Sequence, residues 1–254
     1  MDPAGTTGPA GATAGADQRD LLAGLLAHAL QAVGSAATPL DAEAVLCRLL
    51  AMIEIDAPSG VSPQQLDQLR SGLLTDLVEG AERDGSGEAL GLLSVCAVFG
   101  TDATRVLAAD AVKRLSASGA GSPDWAGQVG RPAPVSSWWY GDADGHQESV
   151  GLLFEYPGGQ HVIAVLVDHD LGGGIRDCWW ADGPEAAGLR ERTAEMIEAE
   201  PGATFRDLDP AAALAVLRPA ITAPRCAPED HAEDVATCIE LLRARLEVLG
   251  PTSP

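Results

Sequence analysis

Histidine and aspartate side chains are concentrated near the ends of short apolar runs in the second half of the chain. The candidates for metal ligands are His161, Asp168, His169, Asp170 and Asp177. Imidazole and carboxylate groups bind zinc, manganese and non-haem iron, and a bound divalent ion can activate water for hydrolysis. The chain has no HExxH or HxH spacing, and aspartates that bond to their own backbone in a turn are the simpler interpretation. The cluster therefore predicts either a divalent-metal site or an ordinary polar turn.

The elements that must position this cluster are three apolar runs with glycine-rich segments between them. The runs are Val150–Tyr156, His161–Val167 and Ile175–Trp180. Short apolar runs separated by glycine are typical of an antiparallel meander. Side chains alternate between the two faces of a strand, so a change of register by one residue has a large effect. It decides whether Asp177 shares a face with Asp168 or with His161, and the sequence leaves both registers open.

Two aromatic pairs belong to the same region and are the candidates for an interaction surface. Trp138 and Trp139 precede the first run, and Trp179 and Trp180 close the third. Adjacent residues of a strand point to opposite faces, so one tryptophan of each pair should be buried while the other can be exposed. If Trp139 and Trp180 shared an outer surface, they would form a patch for a partner or ligand. Burial beneath covering helices is the alternative.

Cysteine chemistry is weakly indicated. The chain has five cysteines: Cys47, Cys96, Cys178, Cys226 and Cys238. Their odd number and the lack of a CxxC pair predict neither a zinc knuckle nor a disulfide framework, which is consistent with a reducing cytosol. Cys178 and His161 on neighbouring strands would make a Cys–His pair conceivable. The two tryptophans that follow Cys178 favour a buried, inert thiol instead.

Two further motifs are incomplete. The segment that begins at Asp142 starts like a calcium-binding loop, but its twelfth position is Leu153 instead of glutamate, so an acidic turn is the better interpretation. The run Gly172–Gly174 is followed by a predicted strand and not by GK[ST] and a helix, which excludes a phosphate-binding loop. A GxSxG nucleophile elbow is also absent from the sequence.

The charge and hydropathy of the chain exclude several classes of partner. The formal net charge of -21 argues against unaided binding to nucleic acid or to an anionic membrane, and it suits a basic protein partner. The longest apolar run, Ala89–Phe99, is too short to span a bilayer. The run Leu21–Val33 lacks the basic segment that precedes a signal peptide. These features predict a cytoplasmic protein.

Five amphipathic helices are predicted between residues 18 and 115. Thr38-Pro39 and Ser62-Pro63 each combine a hydroxyl cap with a proline at the first helical position. The first three helix starts are about 22 residues apart, which is close to the half-repeat of HEAT-like arrays. No residue signature recurs at that spacing, so a compact bundle is the main interpretation and a short helical array is the alternative.

Composition divides the chain into four parts. Residues 1–17 are rich in small residues and predict a disordered tail, and residues 18–115 predict a helical domain. Residues 116–136 are rich in glycine, serine and proline and predict a linker, and residues 137–250 combine strands with further helices. The predicted fold class is α+β: an N-terminal helical bundle, or a short helical array, followed by a small antiparallel sheet covered by helices.

The segment His161–Asp177, with its Asp-His-Asp-Leu-Gly-Gly and the following Arg-Asp, resembles stretches of an uncharacterised protein family from high-GC actinobacteria. The resemblance extends loosely from Leu90–Leu115 to Arg243–Leu249. It implies a GC-rich source, in agreement with a composition that has one lysine and no asparagine. It implies no function and no site residues.

These observations favour a cytosolic, non-enzymatic interaction or regulatory protein that uses no cofactor. Its partner would be another protein, and the acidic surface suits a basic one. The alternative is a divalent-metal hydrolase such as a nuclease, because a bound ion could offset the acidic charge of the strand-end cluster. Under that alternative the metal ligands would be Asp168, His169, Asp170 and Asp177.

Overall fold

The computed structural model describes residues 10–57, 60–224, 226–228 and 231–250. Five helices come first: α1 (Ala10–Gly34), α2 (Pro39–Ile55), α3 (Pro63–Asp84), α4 (Gly87–Phe99) and α5 (Asp102–Ala117). Four strands follow: β1 (Ala133–Asp142), β2 (Gln147–Tyr156), β3 (Gly159–Asp168) and β4 (Gly174–Asp182). The remaining elements are α6 (Gly183–Ala187), α7 (Leu189–Glu198), β5 (Ala203–Leu208), α8 (Pro210–Thr222) and α9 (Ala232–Leu249). The predicted α+β class is confirmed.

The predicted helix starts are confirmed by their cap geometry. The side chains of Thr38 and Ser62 each accept a hydrogen bond from the backbone N–H three residues later, and the side-chain oxygens of Asp41 and Gln65 accept one from the backbone N–H of the cap residue. These contacts satisfy backbone N–H groups that have no partner inside a helix. Helix α1 begins at Ala10 and therefore includes residues 10–17, which the sequence assigned to the predicted tail. Residues 1–9 of the predicted tail lie outside the described residues.

The first five helices form a bundle around α4. Helix α4 contacts α1, α2, α3 and α5. Its sequence is apolar on all sides, and a helix of that kind is stable only when other elements cover it all round. In a helical array each unit contacts only its neighbours along the chain. The compact bundle is therefore the arrangement that the structure has.

The strands form one antiparallel sheet in the order β4-β3-β2-β1-β5. The predicted meander is β2, β3 and β4, while β5 was not predicted. Leu166 on β3 pairs with Asp177 on β4, and the register shifts between Leu166 and Val167. This pairing places Asp177 on the same face as Leu166 and Asp168, and on the face opposite His161.

Helices cover both faces of the sheet. Helices α8 and α9 pack on one side, here the inner face, and α6 and α7 pack on the other, the outer face. The apolar cluster on the inner face is continuous with the interior of the helical bundle. A smaller cluster of Trp138, Leu153, Val162 and Ala186 lies on the outer face. No helix in the described part of the chain has an apolar stretch long enough to cross a bilayer.

The predicted linker, residues 116–136, packs against the bundle. The side chain of Trp125 is 6% exposed, and its Nε1 donates a hydrogen bond to the carbonyl of Ala36 at 3.0 Å. A Cβ atom at Gly91 would lie 3.0 Å from this indole ring, so glycine allows the close contact. Trp125 therefore attaches the segment to α4 and to the turn between α1 and α2. The sequence predicts that residues 116–136 separate two domains. Limited proteolysis of this segment tests that prediction.

Candidate functional site

The centre of the outer face has a floor of small residues between two tryptophans. The strand register aligns Trp138, Gly151, Ala164 and Trp179 in one row across β1, β2, β3 and β4. A side chain at Gly151 would clash with the Trp138 ring, which lies over this position. The absence of large side chains on β2 and β3 leaves a depression, and the aromatic rings of β1 and β4 form its walls.

The next row of the same face supplies polar groups. It contains Tyr140, Ser149, Leu166 and Asp177, in the order β1, β2, β3 and β4. Together with Leu189 and Thr193 of α7, the two rows enclose a cavity of about 210 Å³. We call it the outer cleft.

The polar groups of the outer cleft are available to a ligand. Within the described residues, the Tyr140 hydroxyl, the Ser149 hydroxyl and the Asp177 carboxylate have no hydrogen-bond or ion-pair partner. A buried or half-buried polar group usually has such a partner. The cleft therefore combines aromatic walls with one unpaired negative charge.

A second cavity adjoins the outer cleft at the edge of the sheet. Asp177 and Trp179 border both cavities, and the side chain of Trp179 is 40% exposed. The second cavity has a volume of about 510 Å³, and we call it the edge groove. Its other lining residues are Arg48, Trp180, His231, Glu233, Asp234 and Thr237. Glu233 and Asp234 come from the first turn of α9 and add two carboxylates to the groove.

Asp168, the first predicted metal ligand, is an ion-pair and turn residue. Its carboxylate accepts hydrogen bonds from Arg176 Nη1 at 2.7 Å, from Gln147 Nε2 at 2.9 Å and from the backbone of Leu171 at 3.1 Å. The side-chain hydrogen bond from Arg176 lowers the pKa of Asp168 below its ordinary value. Both carboxylate oxygens are engaged, as the interpretation of the segment as a polar turn predicts.

His169 and Asp170 belong to two separate pairs on the surface. The Nε2 atom of His169 lies 2.8 Å from a carboxylate oxygen of Glu148. The Nδ1 atom of His146 lies 2.9 Å from a carboxylate oxygen of Asp170. The hydrogen bond with Asp170 raises the pKa of His146 above its ordinary value. Neither pair is directed at Asp177.

His161 lies on the inner face and is almost completely buried. Its ring is stacked with the rings of Phe154 and Tyr156, and its Nε2 accepts a hydrogen bond from Arg245 Nε at 2.9 Å. Burial and, to a smaller extent, the charge of Arg245 lower the pKa of His161 to about 3. The ring is therefore neutral at pH 7, and the sheet separates it from Asp177.

The five candidate ligands are thus not brought together. Within the described part of the chain, no group of three or more histidine, cysteine, aspartate or glutamate residues could hold a metal ion. The register explains this dispersal, since it directs His161 to the inner face and Asp177 to the outer face. Asp168 is close to Asp170 in the sequence, but its carboxylate forms an ion pair with Arg176.

The two candidate interaction tryptophans do not form one patch. Trp139 on β1 donates a hydrogen bond to Glu148 and lies under the guanidinium of Arg206, 4.6 Å from the ring centre. Trp180 on β4 packs partly buried against the inner core, with two strands between it and Trp139. Trp179 is the exposed member of its pair, and it was not predicted as the interaction residue.

Sequence reasoning also missed a buried polar network between α2, α9 and the sheet. Glu43 and Arg245 have no exposed surface and form an ion pair. The Glu43 carboxylate also accepts hydrogen bonds from the Tyr156 hydroxyl and from the backbone of Gly130. One signal could have found Glu43, because it lies on the apolar face of α2, one turn before Cys47. Glu43, Tyr156, His161 and Arg245 are all buried, so the network joins elements inside the protein.

Comparisons with known proteins offer no relative from which a site could be transferred. No protein-family model matches the chain, and neither a curated protein nor a solved structure matches it. The outer cleft and the edge groove are the candidate site because they combine accessible aromatic surface with unpaired acidic groups.

Proposed function

We propose that the protein is a non-enzymatic interaction protein that binds a basic polypeptide, and that its outer cleft receives one lysine or arginine side chain of that partner. The observation that carries the proposal is the unpaired carboxylate of Asp177 beside the exposed ring of Trp179. A cation near an aromatic face gains about 0.5–2 kcal/mol, and a charged hydrogen bond to a carboxylate adds to that gain.

The size of the outer cleft supports a side chain over a cofactor. The outer cleft, at about 210 Å³, is smaller than the roughly 300–1,000 Å³ of typical small-molecule sites. The edge groove meets it at Asp177 and Trp179. A polypeptide along the groove could place one long side chain in the cleft and its neighbours near Glu233 and Asp234.

The overall charge supports the same kind of partner. A protein with a net charge of -21 attracts basic molecules over long distances and repels acidic ones. Long-range attraction increases the rate of encounter, whereas the contacts of the cleft determine which residue is held. A metal-dependent hydrolase, the alternative function, gains no support from the described residues because its candidate ligands lie apart.

A peptide of alternating lysine and glycine tests the proposal in about 150 mM salt, where attraction between distant surface charges is screened. Its dissociation constant can be measured by calorimetry and by tryptophan fluorescence. We expect Asp177→Asn to weaken binding about tenfold, which corresponds to about 1.4 kcal/mol. We expect Trp179→Ala to weaken it by a similar factor, because exposed aromatic anchors carry much of the binding energy at an interface.

The matched controls remove the same charge or a similar apolar area elsewhere. Asp144→Asn changes the net charge equally at the exposed turn between β1 and β2, and Leu171→Ala removes an exposed apolar side chain from the turn between β3 and β4. We expect both to change the dissociation constant less than about twofold, as for surface sites without specific contacts. Equal losses in Asp177→Asn and Asp144→Asn would show that only net charge matters. Absence of binding to the wild-type protein would also contradict the proposal.

A further inference from the structure

Two cysteine sulfur atoms approach each other in the core between β4 and α9. The Sγ atoms of Cys178 and Cys238 are 2.6 Å apart, and both residues are fully buried. Non-bonded sulfur atoms do not pack this closely, and the separation approaches the roughly 2.05 Å of a disulfide bond. The backbones of β4 and α9 therefore already hold the two thiols at bonding range.

We propose that Cys178 and Cys238 are a modification site at which an intramolecular disulfide joins β4 to α9. The structure has all five cysteines as free thiols. The thiol of Cys226 has a different partner, since it contacts the carbonyl of Gly174 at 3.5 Å. The close approach of the two sulfur atoms makes the expected crosslink specific to one pair.

The reaction needs an oxidant. A small-molecule disulfide such as oxidised glutathione can accept the two electrons and two hydrogens that the cysteines lose. The thiolate of one cysteine attacks the small disulfide, which forms a mixed disulfide and releases one small thiol. The second cysteine then attacks the protein sulfur of the mixed disulfide and releases the other small thiol. Two S–H bonds of the protein are replaced by one Sγ–Sγ bond, and the two electrons and two hydrogens end on the two small thiols.

Burial determines when this crosslink forms. The thiolate is the reactive species, and burial raises the pKa of Cys238 well above its ordinary value. The folded, reduced protein should therefore react slowly with an oxidant. During folding both thiols are accessible, so the bond should form as β4 and α9 come together.

The crosslink would connect the two elements that border the edge groove. Strand β4 carries Asp177 and Trp179, and α9 carries Glu233 and Asp234. A covalent bond between these elements would limit their relative movement. The bond itself does not depend on the proposed function, because it follows from the core geometry alone.

Counting thiols after refolding tests the proposal. The protein is unfolded and reduced, refolded with a mixture of oxidised and reduced glutathione, unfolded again without reductant, alkylated and weighed. We expect three alkylated cysteines in the wild-type protein, and five after reduction. Peptide mapping should find Cys178 linked to Cys238. Oxidant added to protein that is already folded and reduced should give the crosslink more slowly.

Two variants with four cysteines each provide the matched comparison. Cys178→Ala should have all four thiols alkylated, because Cys238 has lost its partner. Cys47→Ala should have two alkylated thiols, because the pair remains. Alkylation is carried out on unfolded chains, so buried thiols are also counted, and the circular dichroism spectrum of each refolded variant shows that it has folded before the count is compared. Five alkylated thiols in the refolded wild-type protein, or a map that links another pair, would overturn the proposal.

Discussion

The carboxylate of Glu43 and the guanidinium of Arg245 form an ion pair in which neither side chain has exposed surface. Glu43 belongs to α2 and Arg245 to α9, so the pair connects the start of the helical bundle with the last helix. The Nη1 atom of Arg245 has no hydrogen-bond partner among the described residues. The protein interior therefore contains one negative and one positive side chain, and removal of either one leaves the other charge unpaired.

Loss of one charge of this pair should destabilise the protein strongly. Glu43→Gln keeps the shape of the side chain and an acceptor for Tyr156, but it leaves the charge of Arg245 unpaired. We expect the free energy of unfolding, measured with urea, to fall by about 3–5 kcal/mol. The control Glu247→Gln breaks a pair with Arg105 in which Glu247 is 54% exposed, and we expect it to cost less than about 1 kcal/mol. Similar losses in both variants would contradict the assigned burial.

His161 should make stability depend on pH in a defined direction. Its pKa is lowered from 6.5 to about 3 in the folded protein by burial and by Arg245. Between these values the unfolded chain binds a proton that the folded protein does not, so stability is complete above pH 6.5 and decreases as the pH falls. We expect the wild-type protein to lose about 2 kcal/mol more than His161→Gln between pH 7 and pH 5.

The comparison with His161→Gln isolates this residue from the carboxylates that titrate in both proteins. Glutamine retains an acceptor for Arg245 Nε and has no proton to gain. The measurement is urea unfolding at each pH, and the difference between the two slopes is the relevant quantity. Parallel pH profiles of the two proteins would show that folding does not lower the pKa of His161.

Limited proteolysis tests whether residues 116–136 separate two domains, as the composition predicts. The buried indole of Trp125 leads us to expect that a protease of broad specificity does not cut this segment first. Trp125→Ala removes the contacts with α4 and with the turn between α1 and α2, and it should expose the segment to early cleavage. Mass spectrometry of the first fragments identifies the sites. Equal early cleavage in both proteins, with two stable fragments, would support independent domains.

Metal titration tests the hydrolase alternative. We expect manganese, zinc or a chelator to shift the melting temperature of the wild-type protein by less than about one degree, because Asp168 is engaged by Arg176. Asp168→Asn should lower the melting temperature because it breaks that pair in a buried position. Asp170→Ala should cost no more than about 0.5 kcal/mol, as for ordinary surface sites. A saturable metal response that is lost in both Asp168→Asn and Asp177→Asn would favour the hydrolase.

Much of the secondary structure could be predicted because its causes are local. The starts at Thr38 and Ser62 depend on contacts with residues three positions later, and the structure has both. Strand β5 was missed because it is a short edge strand with only Phe205 and Leu208 as large apolar residues. It pairs with β1, and two helices lie between β4 and β5 along the chain, so no hairpin signal marks it.

By itself, the sequence determined the residue types of the site, the helices and the meander, because capping and side-chain alternation act over a few neighbouring residues. Only the tertiary structure decided which of these residues meet. The pairing of Asp177 with Leu166 placed Asp177 on the face opposite His161. The pairing of Glu43 with Arg245 joins residues 202 positions apart. Contacts of this kind depend on how whole helices and strands pack against one another, and no local pattern carries that information.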